Sequence, residues 1–231
     1  MVLHYIELTQ SDHKPLILFI HGSPGDWSAW SRYLKDFDLK REAHMIAVDR
    51  PGYGGSNRGH VERSLVQQAR DIGSLLDKVK LGQRVLLVGH SFGGAVAARL
   101  AMDYGSKITD ILILAGSIDP SMERTEWYQH FAEWPIVKWL IPKDLMVCNQ
   151  EILALKNELE NMLPLWGKLT QRVTVIQGEK DMLVPAKNAD FAKRVITNAK
   201  ALEIIRIPNE GHFLPWKQYE LVKSQILRLI E

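Results

Sequence analysis

The sequence predicts a doubly wound α/β fold: a mostly parallel sheet of about seven or eight strands, helices on both faces, and a helical cap inserted over one edge. Three observations carry this. Short β-branched or leucine-rich runs recur, and most are apolar without alternation, as strands covered on both faces require. Segments of helical period lie between them, the pattern of right-handed βαβ crossovers. One stretch, from about 117 to 169, breaks that rhythm with helix-period and aromatic residues but no convincing strand.

The strand candidates, in order, are HYIEL, PLILFIHG, AHMIAVD, RVLLVGH, ITDILILAG, RVTVIQG and ALEIIRIP. Among the helices, Trp27, Trp30, Leu34 and Phe37 fall on one face of a first candidate. Leu65, Ala69, Ile72, Leu76 and Val79 mark a second, and Tyr219, Val222, Ile226 and Leu229 a last. Inside the insertion, Ile152, Leu155, Leu159 and Met162 mark a short amphipathic helix. Its aromatics, Trp127, Tyr128, Phe131, Trp134, Trp139 and Trp166, fill a helical subcore, with some expected to face a pocket between cap and sheet.

At 231 residues the chain reads as one domain, 1–231, with the cap at about 117–169. A domain this size buries roughly 70–75% of its unfolded surface and needs neither disulfide nor metal to fold. A formal net charge of +2 is too small to argue for nucleic acid or an anionic membrane, and neither is expected as a partner. The one cysteine, Cys148, forms no internal disulfide and fits a reducing compartment. No apolar run approaches the roughly 20 residues of a membrane span. The opening MVLHYIELTQSDHK lacks the order of a secretory signal. A cytoplasmic location is therefore expected, unless a leader was removed before the numbering begins. Oligomeric state is open.

The stretch VLLVGHSFGGAVAARLAMDYG carries the chemistry. A strand, VLLVG, runs into Ser91, and a helix follows from Phe92 to about Tyr104, with Gly105 as its C-cap. A corner between strand and helix strains the backbone by on the order of 1–3 kcal/mol. Side chains two places to either side would collide with the neighbouring strand and helix, which accounts for Gly89 and Gly93. A serine that merely caps a helix does not require those paired glycines. In this context G-H-S-F-G resembles the nucleophile elbow of the α/β-hydrolase family, and the resemblance extends over nearly the whole chain. The resemblance implies an exposed Ser91 hydroxyl at the carboxyl edge of the sheet, beside a helix N-terminus that favours developing negative charge.

The same resemblance implies the chain order serine, acid, histidine. Of eight histidines, His212 alone follows the last strand, in NEGHF, similar to the family's G-H-[FY] loop. Asp181, in RVTVIQGEKDMLVP, matches the family's G-x-x-D-x-x-[VI]-P loop, with Asp119 in ILILAGSIDP as the alternative acid and Glu179 as a weaker rival. HGSPGDW, after PLILFI, resembles the oxyanion loop, so the backbone N–H groups of Ser23 and Phe92 are the expected donors. His21 reads as a brace for that loop rather than a second base. The glycines of VDRPGYGGSNRG lack phosphate-cradle spacing, so Asp49 to Ser56 reads as a structural turn. No pattern argues for a metal or another cofactor.

These residues imply acyl transfer to water, with Ser91 as nucleophile, His212 as base and Asp181 as the group orienting it. The expected substrate is a small or medium, mainly apolar carboxylic ester. Relatives acting on epoxides or haloalkanes carry aspartate at the corner, where this chain has serine. Two alternatives stay open. One is a carbon–carbon bond hydrolase of ring-cleavage products, which needs a cationic grip from Arg50, Arg124 or Lys138. The other is an inactive ligand-binding module on the same fold.

Overall fold

The computed structural model describes residues 2–11, 13–124, 129, 130, 134 and 140–231. Seven strands form a sheet: β1 (Tyr5–Leu8), β2 (Leu16–Ile20), β3 (His44–Val48), β4 (Val85–His90), β5 (Asp110–Leu114), β6 (Arg172–Gly178) and β7 (Ala201–Ile207). Their spatial order is β1-β3-β2-β4-β5-β6-β7. Each matches one of the runs read from the sequence. Only β1 runs antiparallel, pairing Tyr5 with Val48 at one edge. The remaining neighbours are parallel, with Ile20 beside Gly89 and Gly89 beside Ile113 at the carboxyl ends.

Every residue of β2, β3, β4 and β5 is buried, which is why these runs are apolar without alternation. Two apolar cores result, one on each face. The first packs Leu65, Ala69 and Ile72 of α3 (Leu65–Gly73) and the alanines of α4 (Phe92–Asp103) against Leu18, Leu87 and Ile113. The second packs Trp30, Tyr33, Leu34 and Leu39 with the last helix (Tyr219–Ile230) against Phe19, Val88 and Leu112. Tyr219, Val222, Ile226 and Leu229 are buried at the spacing their sequence predicts. Small residues let α4 lie close to the sheet: Ala95, Ala97, Ala98 and Ala101 are fully buried.

Several elements depart from expectation. The segment containing Trp27 to Phe37 is not one helix. It is a 3-10 turn (Trp27–Trp30), a short helix α1 (Ser31–Lys35) and a second helix α2 (Phe37–Glu42). The carboxylate of Asp36 accepts from the N–H groups of Asp38 and Leu39, so it caps a new helix there. That restarts the phase, burying Leu39 and leaving Phe37 exposed. Val79 lies beyond its helix in extended backbone. Tyr104, not Gly105, is the C-cap of α4, and Gly105 opens a 3-10 turn.

Within 117–169 no strand occurs among the described residues. The helix read as short is α5 (Lys143–Met162), twenty residues long, followed by a 3-10 turn (Leu163–Lys168). Leu155, Leu159 and Met162 join the first core; Ile152 is half-buried. Trp166 also lies in that core, its ring 5.4 Å from Phe191 of α6 (Lys187–Val195), so it is no pocket residue. Trp134 is exposed. Trp127, Tyr128, Phe131 and Trp139 fall outside the described residues. Among the described residues, no helix is long and apolar enough to cross a membrane.

Candidate functional site

The residues singled out lie just beyond the carboxyl ends of parallel strands of the sheet. Ser23 follows β2, Arg50 follows β3, Ser91 follows β4, Asp181 follows β6 and His212 follows β7. A parallel sheet collects its loops at one edge in this way, so residues nearly two hundred positions apart share a site.

Ser91 sits at the corner between β4 and α4 with φ 57° and ψ −125°, a conformation costly for any residue with a side chain. The main chain holds it there. Its N–H donates to Leu114 O (3.0 Å), and its carbonyl accepts from Gly94 N (2.9 Å) and Ser117 N (3.2 Å). The glycine argument from sequence is met on both sides. A Cβ at Gly89 would lie 2.3 Å from Gly93 O, and one at Gly93 would lie 2.4 Å from Ile20 O. Phe92 opens α4, where the first N–H groups have no partner within the helix.

His212 and Asp181 are brought together: Nδ1 of the ring donates to Asp181 Oδ2 at 2.8 Å. The other carboxylate oxygen accepts from Leu183 N (2.9 Å) and Val184 N (2.8 Å). Burial opposes ionisation of Asp181, yet the bond from His212 and the two amides outweigh it and hold the carboxyl below its ordinary range. Donation from Nδ1 leaves Nε2 as the free lone pair of the neutral ring. Among the described residues no hydrogen bond joins Ser91 Oγ to His212; such contacts are commonly long without substrate and tighten when it binds. Asp119 does not reach the ring. Its Oδ1 accepts from Ser121 N and Oγ, capping a turn. Glu179 pairs with Arg206 at 3.0 Å.

His90, beside Ser91, was not singled out by sequence. Its ring lies 4.7 Å from that of His212 and 5.2 Å from Trp216, and its Nε2 donates to His212 O at 3.0 Å. Burial, then the neighbouring His212, depress its pKa to about 4, so it is a neutral brace. Gln177 is a second such support, its Nε2 reaching Val184 O (3.2 Å) in the Asp181 loop.

The loop after β2 is anchored from behind. His21 Nδ1 donates to Gly22 O (2.7 Å) and its Nε2 accepts from Arg50 N (2.9 Å), which fixes a neutral tautomer. Burial, followed by the Arg50 cation, keeps that ring well below its ordinary pKa. His21 is therefore a brace, as its sequence position suggests. Among the described residues Ser23 N–H has no hydrogen-bond acceptor. The turn from Asp49 to Ser56 is structural. Asp49 accepts from Trp27 N (2.7 Å) and Gly55 N (2.8 Å) and pairs with His4.

Arg50, considered as a grip for a substrate carboxylate, is fully buried and committed to Glu151, Nη1 to Oε1 at 2.7 Å. Arg124 is exposed, and Lys138 falls outside the described residues. Glu151 is the main residue that sequence reading missed. The available signal was its position: Val147, Glu151, Leu155 and Leu159 recur every fourth residue along the buried face of α5, and one of them carries a charge.

This strand-corner serine and its paired imidazole and carboxylate stand in a chain whose residues 17–223 match the model of the alpha/beta hydrolase family. The chain belongs to that family. Among solved structures, a lipase-esterase related protein from Clostridium acetobutylicum superimposes with a TM-score of 0.77 at 18% identity, covering 99% of each chain. A monoacylglycerol lipase from Paleococcus ferrophilus gives the same score at 16% identity, over 100% of this chain and 99% of that one. At such identities they share the fold. Among curated relatives, Epoxide hydrolase 1 of Caenorhabditis elegans is 35% identical over 57% of this chain and 33% of its own length. Monoacylglycerol lipase ABHD6 of Mus musculus is 27% identical over 75% of this chain and 50% of its own. The chain thus spans a third to a half of these two relatives.

Proposed function

We propose that this alpha/beta hydrolase is a serine hydrolase that cleaves a small or medium, mainly apolar carboxylic ester through an acyl-enzyme. Ser91 Oγ attacks the ester carbonyl while His212 Nε2 takes its proton. Asp181 holds the ring tautomer and stabilises the imidazolium. The tetrahedral oxyanion accepts from the N–H groups of Ser23 and Phe92; one such donor typically contributes about 2.7–4 kcal/mol to barrier lowering. The imidazolium then protonates the leaving alcohol. Water, deprotonated by His212, releases the acid and restores the Ser91 hydroxyl.

The observation that carries this reading is the His212 Nδ1 to Asp181 Oδ2 hydrogen bond at 2.8 Å, which leaves Nε2 as the ring's base nitrogen, on a loop at the same carboxyl edge of the sheet as a serine strained at φ 57°. The epoxide hydrolase relatives suggest another substrate, and the chemistry of the nucleophile argues against it. A carboxylate that opens an epoxide forms an ester that water can cleave; a serine would form an inert ether. The preference for apolar esters draws support from exposed Met182, Leu183, Phe213 and Trp216, which adjoin the acid and the base. In this reading residues 117–169 form the cap, with α5 as its stem.

Fluorophosphonate labelling and hydrolysis of p-nitrophenyl esters test the proposal. The wild type is expected to label and turn over, and Ser91→Ala to lose the label and roughly a millionfold in kcat. Asp181→Asn should lose about 10⁴-fold while still folding. A wild type inert to the probe would count for a binding module, and hydrolysis confined to a dienone acid for carbon–carbon cleavage.

A further inference from the structure

Glu151 lies at the centre of a buried polar cluster that the mechanism above does not use. Its Oε1 accepts from Arg50 Nη1 (2.7 Å) and Gln68 Nε2 (2.8 Å). Its Oε2 accepts from Arg50 Nη2 (3.1 Å), Tyr53 OH (2.7 Å) and Ser23 Oγ (2.7 Å). Both Glu151 and Arg50 are fully buried. An ion pair needs nothing more than the guanidinium. Here the carboxylate also reaches from α5 across 128 positions of sequence to the loop that carries the proposed oxyanion donor.

We propose that Glu151 is a positioning residue for the Ser23 N–H, an inference that rests on the acyl-transfer reading. The Ser23 N–H belongs to the same planar unit as the Gly22 carbonyl, and in a trans peptide the two point in opposite directions. One end of that plane is fixed where Gly22 O accepts from Arg50 Nη2 (3.1 Å) and His21 Nδ1 (2.7 Å). The other end is fixed through the Ser23 side chain, whose hydroxyl donates to Glu151 and lies 2.6 Å from Tyr53 OH. With both ends held, the N–H is aimed away from Arg50 and needs no reorganisation when an oxyanion forms. The cation that polarises Gly22 O also strengthens the opposite N–H as a donor. The Glu151 charge, compensated by Arg50, does not repel the oxyanion as a free carboxylate would.

Ser23→Ala cuts the link while leaving the Arg50–Glu151 pair intact. Glu151→Asp keeps the charge opposite Arg50 but withdraws it from Ser23 by one methylene, and so avoids the unfolding risk of Glu151→Gln. With p-nitrophenyl butyrate, each is expected to lower kcat between about tenfold and a hundredfold, the range for a misplaced group, with KM unchanged. Affinity for a trifluoromethyl ketone, which places an oxyanion in the site, should fall by the same factor. The double variant should lose no more than the weaker single one, because both break one connection, and Ser23→Thr should restore kcat. Losses that multiply in the double variant, fall on KM, or follow melting temperature would overturn the positioning role. If the wild type fails to label with a fluorophosphonate, the acyl-transfer reading falls, and this inference with it.

Discussion

Two bidentate arginine–carboxylate pairs tie the segment after β3 to α5, and they differ in one physical respect. Arg50 meets Glu151 at 2.7 and 3.1 Å, and Arg58 meets Asp144 at 2.8 and 2.7 Å. The side chains of the first pair have no exposure; those of the second are 60% and 33% exposed. Equal geometry therefore carries unequal consequence. In water an ion pair trades one set of good contacts for another, whereas in the interior each charge depends wholly on its partner. The exposed pair decorates the contact between loop and helix. The buried one determines whether that contact exists.

The largest effect should follow from breaking the buried pair from one side. Glu151→Leu strands the Arg50 cation and is expected to cost about 3–5 kcal/mol, the usual penalty for an uncompensated buried charge, read as a lower midpoint in urea unfolding. Adding Arg50→Met to it should return most of that stability without returning the proposed turnover of p-nitrophenyl butyrate. A single variant as stable as wild type would erase the distinction between the two pairs.

Acid adds a second contrast, carried by the buried histidines rather than by surface groups. His90 takes up a proton near pH 4 in the folded chain, against about 6.5 for a free imidazole. Between those values the unfolded chain binds the extra proton, so stability falls as pH drops from about 6.5 toward 4, by on the order of 3 kcal/mol. His21, also depressed, adds a slope of the same sign. Asp181, held low, contributes stability above its ordinary pKa and loses it as pH falls through its folded value. Urea unfolding at stepped pH should show this slope, and His90→Gln should reduce it. A variant with an unchanged slope would assign the sensitivity elsewhere.

The smallest effect belongs to the exposed pair. Asp144→Asn should leave both melting temperature and kcat within measurement error of wild type. A clear loss of activity would mean that the N-terminal end of α5 matters to the site as much as Glu151 does.

How much of this was legible in the sequence depended on whether a residue's partners were local. The central strands β2 to β5 announced themselves, because a strand buried on both faces must be apolar throughout its own length, while the half-buried edge strands β1 and β7 were read from strand-length runs that also carry charges. Ser91 was legible because its glycines lie two residues away. His212 and Asp181 were legible through resemblance, from loops with recognisable spacing. Glu151 was not. Its partners Arg50, Tyr53, Gln68 and Ser23 are 83 or more positions away, and within its own helix it looks like any charge. Arg50 was noticed for its charge, as one of three candidate grips for a substrate carboxylate, since nothing nearby in the sequence reveals that a protein carboxylate already occupies it. The first helix was misread because Asp36 acts as a cap, a role that depends on where the chain turns.

The corner at Ser91 has one more consequence. Leu114, Gly94 and Ser117 hold it through peptide groups alone, so the scaffold is indifferent to which reagent it displays. Exchanging that hydroxyl for a thiol or a carboxylate would change the bond being made while leaving the presenting frame untouched. Divergent chemistries on one architecture are then separated by a single codon, and what a descendant must rebuild is the surroundings of the new atom, not its perch.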